Sequence, residues 1–174
     1  MPDAASAPAP YRITVVCLGN ICRSPIGEAV LRARLADAGL SEQVVVDSAG
    51  TGDWHLGHPA DPRTIAVLDE AGYPHDHIAR QIAPHWMDGI DLLLAMDEAN
   101  YADLVAMLPA DGGPQLRMMR SFDPALAHLP EPHPDLAVPD PYYGGPEDYT
   151  EVLQMIEEAA DGLVDDLLAG DLRP

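Results

Sequence analysis

Short apolar runs alternate along this chain with segments whose apolar residues recur every three or four positions. The apolar and β-branched runs predict four strands, at residues 11–16, 43–47, 90–95 and 115–119. The periodic segments between them predict helices that begin near Pro25, at Asp61 with Pro62, at Asp97 with Glu98, and near Pro146. Glycines at 39 and 72 are expected to end the first two helices, because glycine commonly stops a helix.

Strands that alternate with helices in this way predict a single-domain, doubly wound α/β fold. A four-stranded parallel sheet would carry helices on both faces. Ligands of such sheets bind beyond the carboxyl ends of the strands. The segments at 17–24 and 48–51, Asp97, and the chain from Ser121 onward are therefore expected at one rim. The proline-rich stretch 121–145 shows little periodicity, and we interpret it as an active-site loop.

Length and composition set the domain organisation. With 174 residues, 47% of them hydrophobic, the chain is long enough for one core but not for two. Residues 1–10 are small and proline-rich, which predicts a disordered tail ahead of a domain at 11–174. The tail lacks the basic start and apolar middle of a signal peptide, and no apolar run is long enough for a membrane span. We therefore expect a cytoplasmic protein without a membrane partner, and a monomer.

The charge of the chain restricts its partners. The formal net charge is −20, and all nine basic residues are Arg. Such acidity argues against nucleic acid as a partner. The absence of Lys excludes the usual nucleotide-binding P-loop, which needs that residue. Because the global field opposes anions, an anionic substrate would have to be attracted by a locally positive loop.

The segment CLGNICRSP, at 17–25, lies where the first predicted strand meets the first predicted helix. Backbone N–H groups converge there without internal partners, and the helix dipole adds positive charge, so the turn is a candidate anion site. Cys17 opens the loop, and Arg23 closes it with a planar fork suited to two oxygens. The field that favours an anion also favours thiolate over thiol. Both cysteines of the chain, Cys17 and Cys22, lie in this loop, which favours chemistry there over a disulfide-stabilised secreted scaffold.

Four further motifs accompany this segment: DSAGT at 47–51, HIARQ at 77–81, MDEAN at 96–100 and DPYYGG at 140–145. Together the five motifs resemble those of the bacterial low-molecular-weight protein tyrosine phosphatases, in order and spacing, over nearly all of the chain beyond the tail. The resemblance implies a flavodoxin-like (Rossmann-like) fold and hydrolysis of phosphotyrosine-containing proteins and small aryl phosphates, with no cofactor or metal. It assigns Cys17 as the nucleophile that forms a cysteinyl-phosphate, Arg23 as the phosphoryl-binding residue and Asp140 as general acid and base.

The same resemblance identifies residues around the nucleophile. It implies a phosphate-binding loop that comprises Leu18, Gly19, Asn20, Ile21, Cys22 and Ser24. Ser48 and His77, with Asn20, match positions that hold this loop in place. Ser24 can donate a hydrogen bond to the Cys17 sulfur, although a simple helix cap is an alternative. His77 can also be an ordinary structural histidine, and Asp140 an ordinary turn residue before proline.

Pocket walls and a redox partner complete the implied site. Trp54, Tyr142 and Tyr143 match positions that contact the phenyl ring of the substrate, although Tyr143 could equally pack on the core. Cys22 matches a residue that forms a reversible disulfide with Cys17, and a buried thiol that never pairs is the alternative.

Three other functions are each compatible with part of the sequence. An arsenate reductase on the same scaffold relays electrons through further cysteines, but no cysteine follows Cys22. A catalytically silent phosphate-binding or phosphoprotein-binding module would be indicated by loss of Cys17, Arg23 or Asp140, and all three are present. A metal site could be built by spacing from four histidines, but no matching carboxylate or cysteine pattern supports one. These histidines are His55, His58, His75 and His77.

Overall fold

The computed structural model of this protein describes residues 7–172. Four strands form one parallel sheet: β1 (Tyr11–Cys17), β2 (Val44–Gly50), β3 (Leu92–Ala95) and β4 (Gln115–Met118), in the order β2-β1-β3-β4. The predicted tail falls mostly on residues 1–6, which lie outside the described part. Residues 7–10 carry no regular secondary structure.

Four helices connect and follow the strands: α1 (Arg23–Asp37), α2 (Pro62–Ala71), α3 (Glu98–Met107) and α4 (Pro146–Ala169). Three of the residues predicted to begin or end a helix do so. The Asp61 carboxylate accepts a hydrogen bond from the N–H of Arg63 and so caps α2, and Asp97 caps α3 through the N–H of Asn100. Gly72 ends α2 in the left-handed conformation, with a φ of 80°.

Helices cover both faces of the sheet, as the alternation of elements predicted. Val15 packs in a core with Ile26 of α1 and Ile156 of α4. Its neighbour Val16 points to the opposite face, where it packs with Leu104 of α3. The single-domain, doubly wound parallel fold is therefore confirmed. Among residues 7–172, none of the helices has the length and apolarity required to cross a bilayer.

Three local differences from the sequence-based prediction bear on the site. β2 runs to Gly50 rather than stopping at Asp47, because its last residues continue to pair with β1 up to Cys17. A 3₁₀ segment, Pro84–Gly89, was not predicted. The stretch 121–145 is more ordered than expected, since it contains short 3₁₀ turns and buries Leu136 and Val138 in the core.

Candidate active site

The loop between β1 and α1 wraps tightly at the carboxyl end of the sheet. Asn20 adopts a left-handed conformation, with a φ of 57°, which turns the chain back toward the helix. The loop also passes close to the end of β2. A Cβ at Gly50 would lie 2.6 Å from the carbonyl oxygen of Leu18, so that position requires glycine. The loop therefore has little freedom to change shape.

Cys17 is the last residue of β1, and it is buried, with 2% of its surface exposed. Its sulfur lies 3.0 Å from the hydroxyl oxygen of Ser24, in the first turn of α1. That oxygen accepts a hydrogen bond of 2.7 Å from the side-chain amide of Asn20. Because that oxygen accepts from the amide through one of its lone pairs, the Ser24 hydroxyl can donate its proton to the sulfur.

Asn20 is the centre of a buried polar network that holds the loop. Its amide also donates to Ser48 Oγ at 3.0 Å, and its side-chain oxygen accepts from the N–H of Arg80 at 2.9 Å. The backbone oxygen of Asn20 lies 2.6 Å from His77 Nε2. On its other side, His77 Nδ1 is 3.5 Å from a carboxylate oxygen of Glu28. The structure thus joins Asn20, Ser48 and His77, all expected near the loop, and adds Glu28, which sequence reasoning missed.

Arg23 is almost fully buried, with 2% exposure, at the base of the loop. Its Nη1 donates to Asp97 Oδ2 at 2.6 Å and to the carbonyl oxygen of Val138 at 3.0 Å. Its Nη2 lies 3.8 Å from Asp140 Oδ2. Burial acts to lower the pKa of Arg23, but the negative charges of Cys17, Asp97 and Asp140 outweigh it and raise that pKa. Arg23 therefore remains a fixed cation.

Asp140 closes the site from the far end of the proline-rich stretch. Its side chain is 43% exposed, and its Oδ1 accepts a hydrogen bond of 3.1 Å from the N–H of Tyr142. The stretch is anchored just before this residue, where the N–H of Val138 donates to the carbonyl oxygen of Met96 at 2.7 Å. Asp140 thus sits on a solvent-facing turn that is tied to the end of β3.

A cavity of about 390 Å³ opens above Cys17. Its lining brings together the three residues predicted to be catalytic, four other residues of the loop and the three predicted aromatic walls. His55 also lines it, although the sequence indicated this residue only as a possible metal ligand. The loop residues are Leu18, Gly19, Ile21 and Cys22. The other predicted residues, Asn20, Ser24, Ser48 and His77, lie behind the lining. Tyr143 is 94% exposed, so it does not pack on the core.

The comparisons with known proteins give one consistent result. The model of the low molecular weight phosphotyrosine protein phosphatases matches residues 12–171. This chain belongs to that family. A low molecular weight protein-tyrosine-phosphatase of Streptomyces coelicolor is 50% identical over 155 residues, which cover 88% of this chain and 92% of the relative. The low molecular weight protein-tyrosine phosphatase A of Mycobacterium tuberculosis is 45% identical over 157 residues, covering 90% and 91% of the two chains.

A solved structure agrees with the sequence relatives. The crystal structure of a protein tyrosine phosphatase from Entamoeba histolytica superposes with a TM-score of 0.83 at 34% identity, and the match covers 92% of this chain and 99% of that one. The predicted family and fold are confirmed for this low-molecular-weight phosphatase, and the arsenate reductase and binding-module readings are not favoured.

Tyr149, at the start of α4, contacts the loop, and Arg63, in the first turn of α2, stacks on Tyr149. Neither was predicted from the sequence to belong to the site. The hydroxyl of Tyr149 lies 3.3 Å from Cys22 Sγ. Burial raises the pKa of the Cys22 thiol to about 11, so this sulfur stays protonated at neutral pH. Arg63 stacks on the Tyr149 ring, with 4.8 Å from its guanidinium carbon to the ring centroid. No sequence pattern indicates these pairings, because each joins residues far apart in the chain.

Within residues 7–172, no group of three or more His, Cys, Asp or Glu side chains is arranged to hold a metal. The histidines that could form one by spacing have other contacts. His75 bonds to Asp69, whereas His77 contacts the loop. Both cysteines are free thiols.

Proposed function

We propose that this protein hydrolyses tyrosyl phosphate in proteins, and small aryl phosphates, through a cysteinyl-phosphate on Cys17. The observation that carries the proposal is one cavity lined by a buried sulfur, a fixed guanidinium and a solvent-facing carboxyl group, from Cys17, Arg23 and Asp140. These groups supply a nucleophile, a binding site for phosphoryl oxygens and a proton donor. Membership of the family supports the same class of reaction.

In the first step, the thiolate of Cys17 attacks phosphorus, and an S–P bond forms as the bond from phosphorus to the phenolic oxygen breaks. Negative charge on the three other phosphoryl oxygens is stabilised by loop N–H groups and by Arg23. Asp140, in its protonated form, gives its proton to the departing phenolate oxygen. The products of this step are the phenol and the cysteinyl-phosphate.

In the second step, water attacks the phosphorus of the intermediate while Asp140 takes a proton from it. The S–P bond breaks, inorganic phosphate leaves, and the sulfur departs as thiolate. A hydroxyl at 3.0 Å is well placed to stabilise that thiolate, which is the role we assign to Ser24. The network of Asn20, Ser48 and His77 would hold the loop ready for both steps.

The shape of the cavity supports selectivity for phosphotyrosine. Trp54 and Tyr142 provide aromatic walls at its mouth, and the sulfur lies at its buried end. A phenyl ring between these walls spans the distance to the sulfur, whereas the shorter phosphoserine would not bring its phosphorus to Cys17. The substrates are therefore phosphotyrosine-containing proteins, and the enzyme acts as a monomer. A cytoplasmic location suits this chemistry, because the reducing cytoplasm keeps the nucleophilic thiol reduced.

Reversible oxidation is part of the proposal. Peroxide oxidises the Cys17 thiolate to a sulfenic acid, and Cys22 then displaces its oxygen as water to form a disulfide. Because the Cys22 thiol has a raised pKa, it must give up its proton in that step, and pairing will be slow. Mass spectrometry of peroxide-treated protein should show the Cys17–Cys22 disulfide, which reductant removes. Sulfinic or sulfonic acid alone at Cys17 would contradict this.

The reaction is tested by phosphate release from phosphotyrosine, without added metal and with a chelator present. The unmodified protein should turn over, Cys17→Ser should be inactive, and Asp140→Asn should lose about 10²-fold in rate or more. Asp37→Asn, at the exposed end of α1, is the matched control and should behave like the unmodified protein. Full activity of Cys17→Ser would refute the mechanism. Binding of phosphate without turnover would indicate a binding module instead.

A further inference from the structure

Arg63 lies between the loop that carries the nucleophile and the turn that carries Asp140. It belongs to the first turn of α2, and its side chain is 35% exposed. Its Nε and Nη2 each donate to a different oxygen of the Asp61 carboxylate, both at 3.0 Å. Its Nη1 is left to donate elsewhere, and it donates to the carbonyl oxygen of Gly144 at 3.1 Å. The planar fork therefore joins two separate segments.

The Asp61 side of Arg63 is fixed to the phosphate-binding loop. The N–H of Asp61 donates to the carbonyl oxygen of Ile21 at 2.9 Å. The guanidinium carbon also lies 4.8 Å from the ring centroid of Tyr149, whose hydroxyl contacts Cys22 Sγ. Both contacts end on loop residues, so the position of Arg63 is set by the half of the site that holds the nucleophile.

The other side of Arg63 is fixed to the turn after Asp140. Besides its bond to Gly144, the guanidinium carbon lies 5.6 Å from the ring centroid of Tyr142. Tyr142 in turn donates its N–H to Asp140 Oδ1, and the N–H of Gly144 donates to the carbonyl oxygen of Pro141 at 2.8 Å. A shift of this turn would therefore move the carboxyl group of Asp140 relative to Cys17.

We propose that Arg63 is a positioning residue that holds the Asp140 carboxyl group in register with the Cys17 nucleophile. The inference rests on the proposed function, because it assigns Arg63 a role only in delivering the proton to the leaving group. Arg63 does not line the cavity, so it acts through Tyr142 and Gly144 and not on the substrate. General acid catalysis depends steeply on such placement.

Loss of Arg63 should therefore slow the hydrolysis of each substrate in proportion to how much its leaving group needs a proton. Tyrosine leaves as a phenolate whose conjugate acid has a pKa of about 10, so it needs the proton. The phenolate of 2,4-dinitrophenyl phosphate is stable without one. The parameter to compare is kcat/KM, because it reports the steps up to the departure of the leaving group.

The experiment compares kcat/KM for phosphotyrosine and for 2,4-dinitrophenyl phosphate in the unmodified protein and in Arg63→Met. We expect about a tenfold or greater loss for phosphotyrosine and less than about a threefold loss for the dinitrophenyl substrate. Arg34→Met is the matched control, since Arg34 also pairs with two carboxylates and stacks on a tyrosine, about 16 Å along α1 from Arg23. Both of its values should be unchanged.

Two further variants keep the inference open to refutation. Arg63→Lys keeps the charge but loses the planar fork, so it should show a smaller selective loss of kcat/KM for phosphotyrosine. It replaces Arg63→Met in the comparison if circular dichroism shows that Arg63→Met does not fold. In the Asp140→Asn background, Arg63→Met should cause no further selective loss, because the proton donor is already absent. Equal losses for both substrates, or full additivity with Asp140→Asn, would overturn the inference. Activity that survives Cys17→Ser would instead overturn the proposed function, so the two failures are distinguishable.

Discussion

The sulfur of Cys17 lies 3.0 Å from the hydroxyl oxygen of Ser24, and that hydroxyl is itself fixed by Asn20. If this contact stabilises the departing thiolate, Ser24→Ala should slow the second step more than the first. We expect kcat to fall by about tenfold or more, with a burst of phenol release before the steady state. Stopped-flow kinetics with 4-nitrophenyl phosphate measures both quantities.

The control for this prediction is Ser41→Ala, which removes the same hydroxyl group from an exposed site. It should show the kinetics of the unmodified protein. A Ser24→Ala variant with unchanged kcat and no burst would mean that the hydroxyl serves only as part of the helix terminus.

Asp97 makes two separate interactions, one with the Arg23 side chain and one with the first turn of α3. Its Oδ2 accepts from Arg23, and its Oδ1 accepts from the N–H of Asn100. Asp97→Asn keeps one acceptor oxygen in place of two, whereas Asp97→Ala removes both. We expect Asp97→Ala to lower kcat/KM by about tenfold and to cost about 1 kcal/mol of stability, as loss of a helix cap does. Steady-state kinetics and urea unfolding measure these effects.

Asp97→Asn is the comparison for that prediction. Since it removes a negative charge beside Arg23 and keeps one oxygen that can accept from the guanidinium, inorganic phosphate should inhibit it at least as strongly as it inhibits the unmodified protein. Equal inhibition of Asp97→Asn and Asp97→Ala would show that the charge of Asp97 alone controls Arg23, and weaker inhibition of Asp97→Asn than of the unmodified protein would contradict the prediction.

Asn20 combines an unusual backbone conformation with a buried network. Replacement by Ala removes the side-chain bonds and leaves a Cβ residue at a φ of 57°, whereas replacement by Gly removes the bonds alone. Both variants should be less stable, and Asn20→Ala should be worse than Asn20→Gly by about 1 kcal/mol. Urea denaturation measures the difference, and equal stability of the two variants would refute a contribution from the backbone angle.

Alkaline pH should destabilise the protein through Cys22. Burial raises the pKa of this thiol from its ordinary value of 9.0 to about 11, so the folded state binds the proton more tightly than the unfolded chain. The resulting stability, about 3 kcal/mol, is complete below pH 9 and is lost as the pH rises toward about 11. Tyr149 adds to the same trend, because burial and its bond to Cys22 raise its pKa as well.

The variant Cys22→Ala isolates the thiol from other alkaline effects. It should be less stable at pH 7, because it leaves a small cavity, but its stability should fall less between pH 9 and pH 11. Thermal unfolding at several pH values measures both curves. Parallel curves for the two proteins would contradict the assignment to Cys22.

The sequence predicts the sheet and the position of the loop at 17–24 because both depend on local patterns. β1 and β3 are nearly continuous apolar runs, as central parallel strands must be, and the loop between β1 and α1 is one contiguous motif. The partners of that loop are not local. Asp97 reaches Arg23 only because β3 pairs beside β1, and Tyr149 reaches Cys22 only because α4 packs on α1. Neither contact can be predicted from the sequence before the topology of the fold is known.

The same limit explains the order found in the proline-rich stretch. Its residues lack periodicity because they form only short turns, which are held by single bonds such as those of Glu131 to Met118 and of Val138 to Met96. Leu136 and Val138 are nevertheless buried, and their side chains fill positions that the sheet alone would leave open. Packing of this kind depends on shapes brought together by the whole fold, which no short pattern encodes.

One contact of this stretch has a consequence for solubility. β4 has a single neighbour in the sheet, so its outer side presents backbone groups that another chain could pair with. The carboxylate of Glu131 occupies that side, where it accepts the N–H of Met118 and pairs with Arg117. An edge covered in this way is a poor template for a strand from a second molecule, so the segment that carries Asp140 also protects the sheet against aggregation.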